Sequence, residues 1–495
     1  MRILFQVTAT PLLRHFTDVV LTLTRRGHHV QVACVESPDE LPVPAALKGQ
    51  ERIEFVLAPA GRSDAWRTAA EELRALRDYV RYLEQPFTQA SKLRGRAFRK
   101  AVKTLSDDAH RHVSMSCPHC REDVSDAALI GALLEKYPGA PAGLARRLDL
   151  IESAIPSDRG IDAFLRDARP DAVLVTPLVR TGSHQAEYVK SARALGIPVG
   201  FPVFSWDNLS TKGLIHVQPD RVYVWNEVQK TEAIDMHRVP AERVVVTGAP
   251  RFDRFFAMHP EASRQQFCDA NGLEASRPIV TYLCSSEFVA ETEREFVMQW
   301  IDEVRRHPGL AGCNIVIRPH PRRKAQWKGF DTGRGHVAMT FPQSINSDQL
   351  LYDTLHYSAA VVGLNTSAQL EAGIVGRPVL TILAPEFADG QSGTLHFQYL
   401  LRQHGGFVEC APDFESHRSQ LSAAVEGRYN PAAIREFVDA FLRPCGRDRE
   451  VAPILADAVE ELARTGRPRA WRRLLAGAQY GVSRPFGPAV PGSSR

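Results

Sequence analysis

AAVVGLNTSAQLEAGIVGRPVLTI, residues Ala359 to Ile382, is the stretch on which the reading of this chain turns. Its apolar run Ala359 to Val362 has the composition of a buried parallel strand. A small, polar turn follows, Gly363-Leu364-Asn365-Thr366-Ser367, and then a helix carrying Glu371. Gly373, Gly376 and Pro378 end that helix before another apolar strand, Val379 to Leu383. In an open parallel sheet such a turn lies at the carboxyl end of a strand, where ligands bind. Small residues there let phosphate oxygens approach backbone N–H groups. Glu371, about one helical turn further in, can reach a ribose hydroxyl. The stretch predicts a nucleotide-diphosphate site.

Working outward, the same alternation of strand and helix recurs on both sides. The chain opens with a strand at Arg2 to Val7, a loop, a helix stopped by Gly27 and a strand at His29 to Val35. This strand–helix–strand unit calls for a right-handed crossover. Arg52 to Leu57 reads as a third strand, and residues 62 to 169 read as a helical insertion. Strands return at Ala172 to Thr176, Pro198 to Phe201, Arg221 to Trp225 and Arg243 to Thr247. A second series follows at Ile279 to Cys284, Asn314 to Arg318, His336 to Thr340, Ala359 to Val362 and Val379 to Leu383. The expected fold is α/β, with two doubly wound Rossmann-like domains facing across a cleft. The predicted divisions are 1–258, 259–450 and a C-terminal helix with a basic, partly disordered tail over 451–495.

Composition narrows the function classes. A net charge of +4 over 495 residues gives no reason to expect a nucleic acid partner. No run approaches the roughly 18 apolar residues of a membrane span. The start MRILFQVTATPLLRHF reads as a core strand and not as a signal peptide, so a cytoplasmic location is expected. Cys34, Cys284 and Cys313 sit in apolar strand contexts, as reduced buried thiols do. Cys117-Pro-His119-Cys120 reads either as a local zinc site or as a loop with unpaired thiols; four ligands are not evident, so no metal is assigned.

Chemistry-bearing residues gather at strand ends. Arg318-Pro319-His320-Pro321-Arg322 follows an apolar strand, and a planar guanidinium suits the oxygens of a pyrophosphate. Gly248 and Arg251 end the first sheet, where Arg251 either reaches a phosphate or forms an interdomain ion pair. Ser285 and Ser286 offer a phosphate cradle or a plain helix cap. His15, in the first strand–helix loop and oriented by Asp18, is the leading general-base candidate. Asp207 is the second, beside a Trp206 that either stacks on a sugar or belongs to the core, and His184 is a weaker third. Gln391, Thr394 and His396 lie in a long polar loop at the same rim, expected to face the transferred group or the acceptor.

Four segments together resemble the nucleotide-sugar glycosyltransferases of the GT-B fold and their relatives. These are RGHHV (Arg26 to Val30), VVVTGAPRFD (Val244 to Asp253), IRPHPR (Ile317 to Arg322) and GLNTSAQLEAGIVGRPVL (Gly363 to Leu380). The relatives include nucleotide-sugar 2-epimerases and the CDP-glycerol glycerophosphotransferase-like enzymes of bacterial surface polymers. The resemblance implies that the C-terminal domain holds the nucleotide and the N-terminal domain presents the acceptor. It further implies Glu371 on the donor ribose, Thr366 and Ser367 on its phosphates, and Arg318 and His320 on the donor diphosphate. A histidine in the first loop is the base in some inverting members, although the Gly-His context of those members is missing before His15.

The expected activity is therefore transfer of a sugar, or a polyol phosphate, from a nucleotide-activated donor to a glycan or lipid-linked acceptor in surface polysaccharide synthesis. No cofactor or metal is expected, since Arg318, Arg251 and loop amides can neutralise a leaving diphosphate. The alternatives are a nucleotide-sugar 2-epimerase or hydrolase and a non-catalytic nucleotide-sugar-binding protein. Two basic segments, Lys92 to Lys103 and Arg467 to Leu475, read either as solvated helix faces or as contacts to an anionic membrane surface.

Overall fold

Apolar runs bounded by turns become parallel strands throughout the computed structural model, which describes residues 1–36, 43–87, 90–104, 126–140, 143–181, 183–341 and 348–466. One sheet contains β1 (Arg2–Val7), β2 (His29–Cys34), β3 (Ile53–Leu57), β4 (Ala172–Thr176), β5 (Val199–Pro202), β6 (Arg221–Val224) and β7 (Val244–Val246). Its order is β3-β2-β1-β4-β5-β6-β7. The other contains β8 (Ile279–Leu283), β9 (Asn314–Arg318), β10 (Val337–Met339), β11 (Ala360–Gly363), β12 (Val379–Ile382) and β13 (Val408–Ala411), in the order β10-β9-β8-β11-β12-β13. Every residue of β4, β8, β9, β11 and β12 is buried, as expected when helices cover both faces of a parallel sheet. The fold class is α/β with two Rossmann-like halves. Strand order reverses between β1 and β4 and again between β8 and β11, creating two switch points.

Strand β13 goes beyond the sequence reading. Its Val-Glu-Cys-Ala run occupies a sheet edge and is buried only at its two ends, so it lacks the continuous apolar signature of the inner strands. Among the described residues, five helices stand between β3 and β4: Arg67–Arg81, Ser91–Thr104, Asp126–Lys136, Leu144–Ala154 and Arg159–Ala168. The first four share an apolar core that includes Leu73, Leu76, Tyr79, Leu93, Ala97, Leu129, Leu133 and Leu148. Phe288 and Leu395 of the second half pack against that core. Lys92 and Arg96 lie 4.9 and 5.0 Å over the Phe288 ring, and Arg96 also donates to the Thr211 carbonyl. These two cations of the basic segment therefore face protein. The Cys117-Pro-His119-Cys120 segment and the tail from 467 onward lie outside the described residues.

A second apolar joint closes the other end of the two halves. Trp206, Trp225, Phe252 and Phe255 meet Phe397, Leu400, Phe441 and Leu442 there. The chain then returns. Helix Val451–Thr465 lays Ala452, Leu455, Val459 and Leu462 on Ile3, Phe5, Ala172 and Tyr223 of the first sheet. Full burial of each such aliphatic side chain contributes roughly 1.5–3 kcal/mol. Asp253 fixes the start of this helix by accepting from the Val451 and Ala452 N–H groups at 3.0 and 2.8 Å and from Arg443 at 2.9 Å.

Gly248 belongs to this joint and not to a ligand contact. Its φ is +101°, and a Cβ there would stand 2.7 Å from Val451 Cγ2 and 3.0 Å from the Leu442 carbonyl oxygen. Gly248→Ala is expected to destabilise the protein by about 1–3 kcal/mol, read as a fall in Tm. An unchanged Tm would contradict this account of the joint.

Candidate functional site

The loops after β1 and β7 in the first sheet converge on those after β8, β9 and β11 in the second. The turn after β11 leads into helix Ala368–Ile374, where Glu371 is 6% exposed. One carboxylate oxygen of Glu371 accepts from Arg251 Nη2 at 2.8 Å, which joins the two halves across the cleft. The other, Oε2, is buried with no hydrogen-bond partner among the described residues. Burial pushes the Glu371 carboxyl up to about 6, against the opposing pull of Arg251. Arg251 thus forms the interdomain ion pair that the sequence left as one of two readings.

Arg318 ends β9 and is 8% exposed. Among the described residues its hydrogen bond is a 3.5 Å contact to the Thr340 carbonyl, and it has no paired carboxylate. Burial lowers it to about 10, with Asp348 and Glu371 pulling the other way. Such a guanidinium is desolvated yet unmatched, the state in which an anionic ligand gains most from binding. His320 uses Nδ1 to accept the Arg322 backbone N–H at 3.3 Å, which leaves Nε2 as its outward nitrogen. Burial first, then Arg322, Arg323 and Arg14, lower His320 to about 4, so it is neutral at pH 7.

His15 closes the short helix Thr10–His15 after β1 and is 5% exposed. Burial, then Arg251 and Arg14, hold it well below its ordinary value, so it too is neutral. Arg14 Nε donates to His15 Nε2 at 3.4 Å, and His15 Nδ1 is buried without a hydrogen-bond partner among the described residues. Arg14 itself is lowered by burial and then by Arg251, with Asp348 and Glu371 opposing. Arg14 and Asp348 were not singled out from the sequence. For Arg14 a signal existed, a cation beside His15 in the first loop. Asp348 has no local signature, because only the tertiary fold brings it near Arg318 and Glu371.

Several other candidates are turned to structural tasks. Ser285 is fully buried, and its N–H goes to both oxygens of Glu293 at 2.8 Å. Asn365 donates to the Gly390 carbonyl at 2.7 Å. Gln391 accepts from Ala384 N–H at 3.0 Å and donates to the Ile382 carbonyl at 2.9 Å. Thr394 donates to the Gln391 carbonyl at 2.9 Å. The side chains of Asn365, Gln391 and Thr394 tie the long loop to the strand ends, while Ser285 is held through its backbone N–H. Ser286, Thr366 and Ser367 remain partly exposed at the cleft.

The second base candidate is also corrected. Burial would raise Asp207, but Lys212, His396, Ser205 and Thr211 together hold it well below its ordinary value. Ser205 and Thr211 donate to its oxygens at 2.6 and 3.0 Å, and Lys212 lies at 3.2 Å. A carboxylate so stabilised is a weak base. Trp206 is 4% exposed within the interdomain cluster, its ring 4.7 Å from that of His396, so it offers no open stacking face. Burial lowers His396 to about 4, and its Nδ1 has no partner. Asp18 is held by Arg254 at 2.7–2.9 Å and does not orient His15. His184 is lowered by burial, then by Arg180 and Arg74, and stands beside the ion network of the insertion.

No protein-family model matches the chain, and the search of curated proteins returns no match. Solved structures do match. The UDP-GlcNAc 2-epimerase of Neisseria meningitidis, bound to UDP-GlcNAc, aligns at 12% identity over 93% of this chain and all of its own, with a TM-score of 0.50. A glycosyltransferase from Rickettsia africae aligns at 10% identity over 94% and 98% of the two chains, again at 0.50. A co-structure of S. aureus MnaA with UDP aligns at 10% identity over 92% and 94%, also at 0.50. At these identities the likeness speaks for the architecture. The chain has the GT-B fold, the two-domain Rossmann-like architecture shared by these glycosyltransferases and 2-epimerases.

Proposed function

We propose that the chain is a nucleotide-sugar enzyme, a GT-B-type transferase that moves a sugar or polyol phosphate from a nucleotide diphosphate donor to a glycan or lipid-linked acceptor. Glu371 carries the reading. It is a buried carboxylate at the second switch point, with one oxygen on Arg251 and the other unpartnered among the described residues, and near enough to the unmatched Arg318 to act on its charge. The free oxygen suits a ribose hydroxyl. Arg318, Arg251 and Arg14 suit the leaving diphosphate, whose charge grows as the glycosidic bond breaks. His320 Nε2 can donate to the same oxygens. When Arg14 turns from His15 Nε2 to the diphosphate, it frees that nitrogen of the neutral ring to act as general base.

Titration with uridine, guanosine, adenosine and cytidine diphosphates in a thermal-shift assay tests the donor site. One of them is expected to raise Tm, by about 2.7 kcal/mol of added stability at a hundredfold excess over Kd, and Glu371→Ala is expected to abolish the effect. The carboxylate must be ionised to accept ribose hydroxyls and to pair with Arg251. Affinity should therefore hold above pH 6 and fall about tenfold per unit below it. No response to any nucleotide, at any pH, would remove the proposal.

Product analysis addresses the reaction. His15→Ala is expected to lower kcat by roughly 10²–10⁴ with little change in nucleotide affinity. Interconversion of the donor sugar with no acceptor present would replace transfer by epimerisation.

We place any membrane contact at the amino ends of β5 to β7. Arg193, Arg221 and Arg243 line a hollow of about 570 Å³ there beside Gly466, from which the sequence continues as Arg467-Pro-Arg469-Ala-Trp471-Arg472-Arg473. Co-sedimentation with phosphatidylglycerol vesicles, absent with phosphatidylcholine and weakened by 0.5 M salt, is the expected outcome. Equal recovery with both lipids would rule it out.

A further inference from the structure

A hollow of about 1070 Å³ opens on the first domain, between the helical insertion and the helix Ala186–Ala194. Trp66, Glu152 and Asp162 line it from the insertion, and Lys190, Arg193 and Gln218 from the other side. Helix Ala186–Ala194 begins near the carboxyl end of β4, and its residues Lys190, Arg193 and Ala194 line the hollow about 6–12 Å along the helix from that start.

The polar groups of this wall are unevenly satisfied. Lys190 Nζ donates to the Glu152 and Ile155 carbonyls at 2.8 and 3.1 Å and lies 2.9 Å from Glu152 Oε1. Arg74 donates to the same oxygen at 2.6 and 3.1 Å. The second oxygen, Glu152 Oε2, has no partner among the described residues, and neither do Asp162 Oδ1 and Gln218 Oε1. Glu152 and Asp162 are only 5% and 4% exposed. All three unmet atoms are acceptors, and an acceptor shut away unpaired is costly. The side chains that carry them line the hollow.

Unmet acceptors call for a ligand rich in donors. Glu152 is already neutralised by Arg74 and Lys190, and Asp64 by Arg62 at 2.7 Å, so the wall makes no demand for a cation. Along the lining Asp64, Glu152 and Asp162 are balanced by Arg159, Lys190 and Arg193, so an anion is not called for either. A neutral polyol fits both conditions. At the rim stands Trp66, 47% exposed, whereas Trp206, Trp225, Trp300 and Trp327 are each 4% exposed or less. An open indole face takes the C–H face of a pyranose while its hydroxyls reach neighbouring acceptors.

We infer that this hollow is a carbohydrate-binding site, in which a neutral sugar stacks on Trp66 and donates hydrogen bonds to Glu152, Asp162 and Gln218. Its role is to hold a glycan chain away from the cleft where the chain end reacts; that role, unlike the binding itself, rests on the transfer reaction proposed above.

The test uses the full chain and ligand-observed saturation-transfer NMR. The probes are neutral tetrasaccharides of glucose, mannose, galactose and N-acetylglucosamine, with spermidine and inorganic phosphate as charged controls. Saturable binding of at least one tetrasaccharide is expected, weakened at least tenfold in Trp66→Ala, partly restored in Trp66→Phe and unchanged in Glu371→Ala. Absence of saturable binding to all four, undiminished binding in Trp66→Ala, or displacement by either control overturns the inference. Trp66-dependent saccharide binding in a protein that ignores every nucleotide would keep the site and remove its role in transfer.

Discussion

One ion pair, Arg251 to Glu371, holds the two halves of this protein in register where chemistry is expected. It joins the end of the first sheet to the helix behind the second switch point, alongside the apolar joints that pack the halves together. The pair is only half satisfied, because Glu371 keeps one oxygen without a partner and Arg251 remains partly exposed. A diphosphate ribonucleoside offers hydroxyls to the first and phosphate oxygens to the second. The contact that spans the cleft is thus made of the same groups that a nucleotide would recruit, and it desolvates them in advance.

Much of the architecture was legible because parallel strands covered on both faces leave an unmistakable trace. Ile279 to Leu283, Asn314 to Arg318 and Val379 to Ile382 are nearly uninterrupted apolar runs with turn residues behind them. Strand β13 left no such trace, since an edge position tolerates Glu409 and Cys410 in the middle of a four-residue run. The amphipathic spacing of Val451 to Thr465 announced a helix but not its destination. One apolar face looks like another until three dimensions show it lying on β1, β4 and β6.

The site was legible in outline for a similar reason, and its details were hidden by another. Carboxyl ends of strands draw attention to Arg318, Glu371, His15 and Arg251, which the fold brings together. The same rule selects Ser285, Asn365, Gln391 and Thr394, whose hydrogen bonds go to backbone groups and a buried glutamate. Composition cannot separate a polar side chain that serves a ligand from one that satisfies a loop. Trp206 and Asp207 show the same ambiguity: an aromatic beside a carboxylate suits a sugar, yet here the indole fills an apolar joint and the carboxylate is neutralised by Lys212.

The return of helix Val451–Thr465 to the first sheet makes the polypeptide pass between the lobes twice, once before β8 and once near Asp253. Two crossings side by side resist sliding or twisting of one lobe on the other more than a single one would. Arg14 and His15 on one lobe and Arg318 on the other are therefore held facing each other by covalent links as well as by packing.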